Sequence, residues 1–171
     1  MPIALTSGAP FPLIDLPALG GGTVTLGGGG GWQLIFVYRG LHCPICKGYM
    51  AELETHLPAF KDLGLSVVLV SGDPVEKAAS FVTETGVTMP VGHDLTPDQM
   101  RTLGLYISEP RSPKETDRPF AEPGLFLVNP EGNLHMVDVS NAPFLRPGLE
   151  KLASRIGYVL ENDYPIRGTM A

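Results

Sequence analysis

The feature that most constrains the fold of this chain is an apolar strand that leads into its only two cysteines. Residues 34–38 are continuously apolar or aromatic, residues 39–42 form a predicted turn, and Cys43-Pro44-Ile45-Cys46 opens an amphipathic segment. If a helix begins at or just after Cys43, the two cysteines lie on one face, close enough for a disulfide. Cys43 then occupies the helix N-terminus, where unpaired N–H groups and the dipole stabilise a thiolate, and Pro44 suits the first turn. The pattern predicts a redox-active dithiol.

Other uses of such a cysteine pair have less support in the sequence. A structural zinc site needs two further ligands, and the four histidines (His42, His56, His93 and His135) contain no paired motif. A Cys2His2 site assembled across the fold stays open as an alternative. A purely structural disulfide also stays open, although closing so short a loop removes little chain entropy.

Composition narrows the class of protein and its compartment. Hydrophobic residues make up 43% and charged residues 18% of the 171 residues, which is ordinary for one globular domain with a sizeable core. The formal net charge of −6, without a basic run, argues against nucleic acid or an anionic membrane as a partner. Residues 1–6 lack the positive and apolar segments of a signal peptide, and no stretch approaches transmembrane length. We therefore expect a cytoplasmic protein, in which this cysteine pair is catalytic.

The rest of the chain alternates between strand and helix patterns. The β-branched run at residues 66–71 is typical of a strand buried on both faces, and residues 8–16 suit an edge strand or hairpin. We expect Pro58 to kink or interrupt the helix after the cysteines. The other predicted elements are short strands at 23–26 and 89–91, helices near 74–85, 97–103 and 147–160, and a β-hairpin of 124–129 and 134–139. This order predicts an α/β sandwich with a mixed central sheet, and it leaves residues 108–122 as a proline-rich surface loop.

Three stretches of the sequence resemble the peroxiredoxin-like branch of the thioredoxin fold, the alkyl hydroperoxide reductase/thiol-specific antioxidant (AhpC/TSA) superfamily. They are residues 8–11, residues 36–46 with the cysteine pair, and residues 124–132. The resemblance implies a thioredoxin-like three-layer sandwich, with a mixed central β-sheet flanked by helices and an N-terminal β-hairpin extension. It also implies a single domain over residues 1–171, ending in a C-terminal tail of residues 162–171 whose packing the sequence leaves open.

The sequence departs from the peroxidase pattern of that family in two places. Typical members carry Pro-x-x-x-Thr/Ser-x-x-Cys, and the positions of the proline and the hydroxyl here hold Phe36 and Gly40. The family arginine just before the hairpin strand is replaced by Pro123. Thioredoxins place a cis-proline there against the dithiol, so the resemblance implies that Pro123 assists the site in the cis form. An ordinary trans-proline at the start of a strand is the alternative.

We expect Cys43 to act as the nucleophile and Cys46 as the resolving thiol. The charge of Arg39 and the helix N-terminus that includes Pro44 would lower the pKa of Cys43, and His42 would tune the thiolate or transfer a proton. For both Arg39 and His42 the alternative is an ordinary surface role.

Three functional hypotheses follow. The first is a thiol-disulfide oxidoreductase that uses the Cys43–Cys46 pair, and the second is a thiol-dependent peroxidase that reduces hydroperoxides. The third, from another class, is a non-enzymatic redox sensor or metal-binding module. Either enzyme takes a peroxide or a disulfide as substrate, needs an external thiol reductant such as a thioredoxin or glutathione system, and requires no cofactor. A homodimer is compatible with the resemblance.

Overall fold

A five-stranded mixed sheet forms the centre of the computed structural model, which describes residues 5–170. The start of the segment examined for a signal peptide and the final residue of the predicted tail lie outside the described residues. The sheet order is β5-β4-β3-β8-β9, with β3, β4 and β5 parallel and with β8 antiparallel to both β3 and β9. Its strands are β3 (Gln33–Val37), β4 (Ser66–Val70), β5 (Val91–Gly92), β8 (Gly124–Val128) and β9 (Leu134–Val139).

The remaining elements of the described residues are four helices and four short strands that lie outside the central sheet. Two small antiparallel sheets pair β1 with β2 and β6 with β7. These other elements are β1 (Ile14–Pro17), β2 (Thr23–Leu26), α1 (Pro44–Asp62), α2 (Val75–Thr85), α3 (Pro97–Thr102), β6 (Ile107–Ser108), β7 (Phe120–Ala121) and α4 (Leu149–Glu161).

Side-chain alternation along the central strands divides the interior into two cores. On β3, Leu34 and Phe36 face a core built with α1, α2 and α4, whereas Ile35 and Val37 face the β1–β2 hairpin and α3. Because both faces are covered, β3, β4 and β8 are almost entirely apolar, as was predicted for residues 66–71. The predicted three-layer, thioredoxin-like α/β sandwich with its N-terminal hairpin is confirmed.

Helix α1 continues through Pro58, so of the predicted kink or interruption the interruption does not occur. Its buried stripe of Met50, Leu53, Leu57 and Phe60 extends to both sides of the proline. Burial of those side chains against the sheet therefore outweighs the loss of one helical hydrogen bond. Cys43 and Cys46 consequently stand at the N-terminus of a 19-residue helix that packs firmly against β3.

The register of the sheet places the cysteines at one defined end. Val37 pairs with Val70 and with Gly124, and Gly124 pairs in turn with Val139, so these residues mark the end of the sheet next to Cys43. Residues 162–170 follow α4 and lie at the opposite end, where Tyr164 and Pro165 line a depression with His135. Within residues 5–170, no helix is long and apolar enough to cross a membrane.

Candidate active site

Cys43 is the N-cap of α1, and its sulfur takes the place of the oxygen that caps most helices. Its Sγ accepts a hydrogen bond from the backbone N–H of Cys46 at 3.2 Å, and Pro44 occupies the first helical turn, as predicted. The Cys43 side chain is buried, with 1% of its surface exposed. A cysteine in this position sits in the positive field of the helix terminus, which favours its thiolate.

Arg39 adds a positive charge to the same sulfur. Its Nη1 donates to Cys43 Sγ at 3.8 Å, while its Nε forms an ion pair with Glu122 at 3.1 Å. The guanidinium also lies over the ring of Phe120, 4.7 Å from its centroid. Glu122 in turn accepts a hydrogen bond from the hydroxyl of Ser108 at 2.7 Å. The expectation of a surface loop over residues 108–122 is therefore wrong at its ends, which pair as β6 and β7. The buried Phe120 and Glu122 at the end of this segment hold Arg39 beside Cys43.

The pKa values of the two thiols are shifted in opposite directions. The hydrogen bond from the Cys46 thiol, the backbone N–H of Cys46 and the side chain of Arg39 together lower the pKa of Cys43 to about 6, against the opposing effect of burial. Burial and the neighbouring Cys43 raise the pKa of Cys46. At neutral pH the arrangement therefore favours the thiolate of Cys43 and the protonated thiol of Cys46.

A second arginine, which the sequence analysis missed, contacts the second sulfur. Arg146, in the segment between β9 and α4, donates from Nη2 to Cys46 Sγ at 2.7 Å. The contact joins residues 100 positions apart, so no local pattern around either residue could have revealed it.

The prediction of a cis-proline at position 123 is wrong, because no peptide bond within residues 5–170 is cis. Pro123 lies in extended backbone between β7 and β8, and its carbonyl accepts the N–H of Ser140 at 3.1 Å. The preceding Glu122 donates its N–H to Tyr106 at 2.8 Å. These backbone hydrogen bonds on both sides of Pro123 are compatible with an ordinary trans Glu122–Pro123 peptide bond. Pro123 still lies close to the site, since it lines a small cavity together with Arg146.

His42 packs beside the site without a hydrogen bond to either sulfur. Its ring lies 4.5 Å from that of Phe120, and neither ring nitrogen has a hydrogen-bond partner within residues 5–170. Burial, reinforced by the charge of Arg39, lowers the pKa of His42 to about 4. The imidazole is therefore neutral at pH 7 and packs against the ring of Phe120.

Only glycine fits at position 40, because the carboxylate of Asp73 occupies the space where a side chain would begin. A Cβ at Gly40 would lie 2.7 Å from Asp73 Oδ1, and the backbone of Gly40 has a φ of +142° that favours glycine. Asp73 is buried, and its Oδ2 accepts the N–H of Leu41 at 2.8 Å. The carboxylate thus holds the turn that precedes Cys43.

A thiolate at a helix N-terminus, next to a second thiol and on a thioredoxin-like scaffold, defines a cysteine-based redox site. The profile of the AhpC/TSA family matches residues 7–137, and the chain belongs to this family.

Individual relatives agree with this assignment. A putative peroxiredoxin of Mycobacterium tuberculosis is 31% identical over 103 residues, which cover 60% of this chain and 66% of the relative. A probable 1-Cys peroxiredoxin of Syntrichia ruralis is 25% identical over 113 residues, which cover 62% of this chain and 51% of the relative. The matched part of the chain thus spans between half and two thirds of these relatives.

A solved structure shares the fold over most of its length. The peroxiredoxin-like protein from Aquifex aeolicus superposes with a TM-score of 0.76 at 17% identity, covering 92% of this chain and 89% of that protein. Within residues 5–170, no three His, Cys, Asp or Glu side chains are grouped so that they could hold a metal ion.

Proposed function

We propose that this protein is a thiol-dependent peroxidase in which Cys43 attacks a hydroperoxide and Cys46 resolves the product. The observation that carries the proposal is the Cys43 sulfur, which caps α1 and receives both the N–H of Cys46 and the Nη1 of Arg39. Membership of the AhpC/TSA family and the names of the peroxiredoxin relatives support the same reaction. The proposal therefore favours the second of the three hypotheses over general disulfide exchange.

The burial of the nucleophile also favours a small oxidant. Cys43 is 1% exposed and Cys46 is fully buried. A protein disulfide has to bring a bulky sulfur into line with the attacking thiolate, whereas a hydroperoxide presents one terminal oxygen. A buried thiolate therefore suits the peroxide better than a protein disulfide.

In the first step the Cys43 thiolate attacks the terminal oxygen of the hydroperoxide. A sulfur–oxygen bond forms, the oxygen–oxygen bond breaks, and the departing alkoxide or hydroxide takes up a proton to leave as an alcohol or water. The sulfur is oxidised to the sulfenic acid and the peroxide is reduced. Arg39 stabilises the thiolate beforehand and, 3.8 Å from the sulfur, lies close enough to stabilise negative charge on the departing oxygen.

In the second step the two cysteines form a disulfide. The Cys46 sulfur attacks the Cys43 sulfenic sulfur, the sulfur–sulfur bond forms, and the sulfenic oxygen leaves as water. The spacing within the first turn of α1 brings the two sulfurs within reach. An external thiol reductant, of the thioredoxin or glutathione kind, then returns both cysteines to the thiol state.

The rate at which hydrogen peroxide oxidises the reduced protein tests this function directly. We expect a second-order rate constant orders of magnitude above that of a free thiol of the same pKa, measured by rapid quenching and mass spectrometry of the trapped thiols. Cys43→Ser should abolish the reaction, whereas Cys46→Ser should stop at the sulfenic acid. A rate equal to that of a simple thiolate would reject the peroxidase and restore disulfide exchange as the function.

A further inference from the structure

Arg146, in the segment between β9 and α4, places its guanidinium against the buried sulfur of Cys46. Arg146 Nη2 donates to Cys46 Sγ at 2.7 Å, and the Cys46 side chain is fully buried. Hydrogen bonds in which the donor carries charge are markedly stronger than neutral ones, particularly away from water. The contact therefore affects how easily Cys46 can become a thiolate.

Helix α1 itself fixes the position of this guanidinium. The Arg146 side chain lies over the ring of Tyr49, 4.9 Å from its centroid, and the Tyr49 hydroxyl donates to the carbonyl of Pro147 at 2.8 Å. Tyr49 stands three residues after Cys46, on the same side of the helix. The helix that carries the sulfur thus also holds the arginine that contacts it.

The two arginines of the site differ in the partners of their guanidinium groups. Arg39 shares its charge between Cys43 and the carboxylate of Glu122. The Nε and Nη1 of Arg146 are buried and have no hydrogen-bond acceptor within residues 5–170, and its Nη2 contacts Cys46. The charge of Arg146 is therefore directed at the sulfur whose burial disfavours ionisation.

We propose that Arg146 is a catalytic residue of the second chemical step, in which it stabilises the Cys46 thiolate during its attack on the Cys43 sulfenic acid. This inference rests on the proposed peroxidase function. Cys46 loses its proton to solvent and donates an electron pair to the Cys43 sulfur, so the sulfur–sulfur bond forms as the sulfur–oxygen bond breaks. Cys46 is oxidised, Cys43 is reduced, and the departing hydroxide takes up a proton to become water.

The rate of this step decides whether the enzyme survives an excess of peroxide. Until Cys46 attacks, the Cys43 sulfenic acid remains open to a second peroxide molecule, which would oxidise it to the sulfinic acid. A guanidinium that accelerates the attack therefore protects the enzyme from inactivation. Loss of Arg146 should slow disulfide formation and increase sulfinic acid formation together.

The experiment compares Arg146→Gln and Arg146→Lys with the unmodified protein under single-turnover conditions. After mixing with hydrogen peroxide, samples are quenched at intervals, and sulfenic acid, disulfide and sulfinic acid are separated by mass. We expect Arg146→Gln to slow disulfide formation by about tenfold or more relative to its effect on sulfenic acid formation. The pH at which the second step is half-maximal should also rise. Arg146→Lys, which keeps the charge, should recover part of the rate.

Two control variants separate this role from a structural one. Arg155→Gln removes an exposed arginine from α4 and should leave both steps unchanged. Tyr49→Phe keeps the ring under the guanidinium but removes the hydrogen bond to Pro147, so it should slow the second step less than Arg146→Gln. Equal disulfide formation in Arg146→Gln and the unmodified protein, with unchanged pH dependence, would overturn the proposal.

A second probe distinguishes failure of this inference from failure of the proposed function. An aromatic disulfide that releases a coloured thiolate reacts first with Cys43, and Cys46 then displaces the second thiolate. The Arg146 variants should slow this second release even if peroxide proves to be a poor substrate, because the same sulfur attacks. An unchanged second release would reject the role of Arg146, whatever the outcome with peroxide.

Discussion

At the scale of residues, the turn before Cys43 is held by Asp73, which lies in the loop after β4 and packs against Gly40. The peroxidase pattern that the sequence resembles has a hydroxyl at the position of Gly40, whereas here the Asp73 carboxylate lies in that space and accepts the N–H of Leu41. Burial raises the pKa of Asp73, and the hydrogen bond from Leu41 opposes that rise. The turn is therefore organised from β4 and its following loop instead of from its own side chain.

Gly40→Ala should destabilise the protein by about 2–4 kcal/mol, because the new Cβ meets the Asp73 carboxylate and the positive φ is strained. Asp73→Ala alone should cost about 1–3 kcal/mol, since the N–H of Leu41 loses its acceptor. The double variant should be more stable than the sum of these losses predicts, because the clash disappears with the carboxylate. Urea unfolding of the four proteins measures the coupling, and strict additivity would contradict the steric explanation.

Arg39 acts on Cys43 by charge, and the pH dependence of the peroxide reaction should report this. The thiolate is the reactive form, so the rate should rise with pH through a midpoint near the Cys43 pKa of about 6 and then level off. Arg39→Gln should move that midpoint upward by about 0.5–1 pH unit, because one stabilising contact is lost while the N–H of Cys46 remains. Coincident midpoints in the two proteins would show that Arg39 does not stabilise the thiolate.

At the scale of elements, the segment from β7 to β8 supports the residues next to Cys43, because Glu122 and Phe120 both contact Arg39. Its Glu122 pairs with Arg39, accepts the Ser108 hydroxyl, and is 4% exposed. The neighbouring Phe120 supports both Arg39 and His42. This segment thereby connects the β6–β7 pairing with the turn that leads to Cys43.

Glu122→Ala should lower both stability and reactivity, because the guanidinium of Arg39 loses its buried partner and its fixed position. We expect a loss of about 2–4 kcal/mol in unfolding free energy and a raised pKa of Cys43. Ser108→Ala is the matched control, since it removes one hydrogen bond to the same carboxylate and should cost about 1 kcal/mol. Thiol titration and denaturant unfolding measure the two effects, and equal losses in the two variants would argue against the ion pair as the main contribution.

The sequence predicted those elements whose signals are local. The apolar run before Cys43, the β-branched run of β4 and the hairpin of β8 and β9 each carry their pattern within a few residues, so strands, helices and the cysteine pair were found. The geometry of Pro123 depends on pairing with Ser140, and the position of Arg146 depends on packing against Tyr49. These contacts arise only after the chain has folded, so the proline isomer was wrongly predicted and the arginine was missed.

At the scale of the whole molecule, the cysteines and the segment after α4 lie at opposite ends of the central sheet. The pairs of Val37, Gly124 and Val139 lie at the end next to Cys43. Gln33 pairs with Val128 at the other end, where the ring of Trp32 lies 5.1 Å from that of His135. The segment after α4 packs there. This separation predicts that the two ends can be altered independently.

Removal of residues 163–171 should therefore reduce stability without changing the peroxide reaction. The segment contributes the hydrogen bond from the Tyr164 N–H to Val159 at 2.9 Å and the packing of Tyr164 against Tyr158, with ring centroids 6.1 Å apart. We expect a loss of about 1–3 kcal/mol in denaturant unfolding, and Tyr164→Ala should reproduce much of it. Because Tyr164 and Pro165 line a depression with His135, which packs against Trp32, the fluorescence of Trp32 should also shift. A reduced rate of Cys43 oxidation in the shortened protein would show that the two ends of the sheet are coupled.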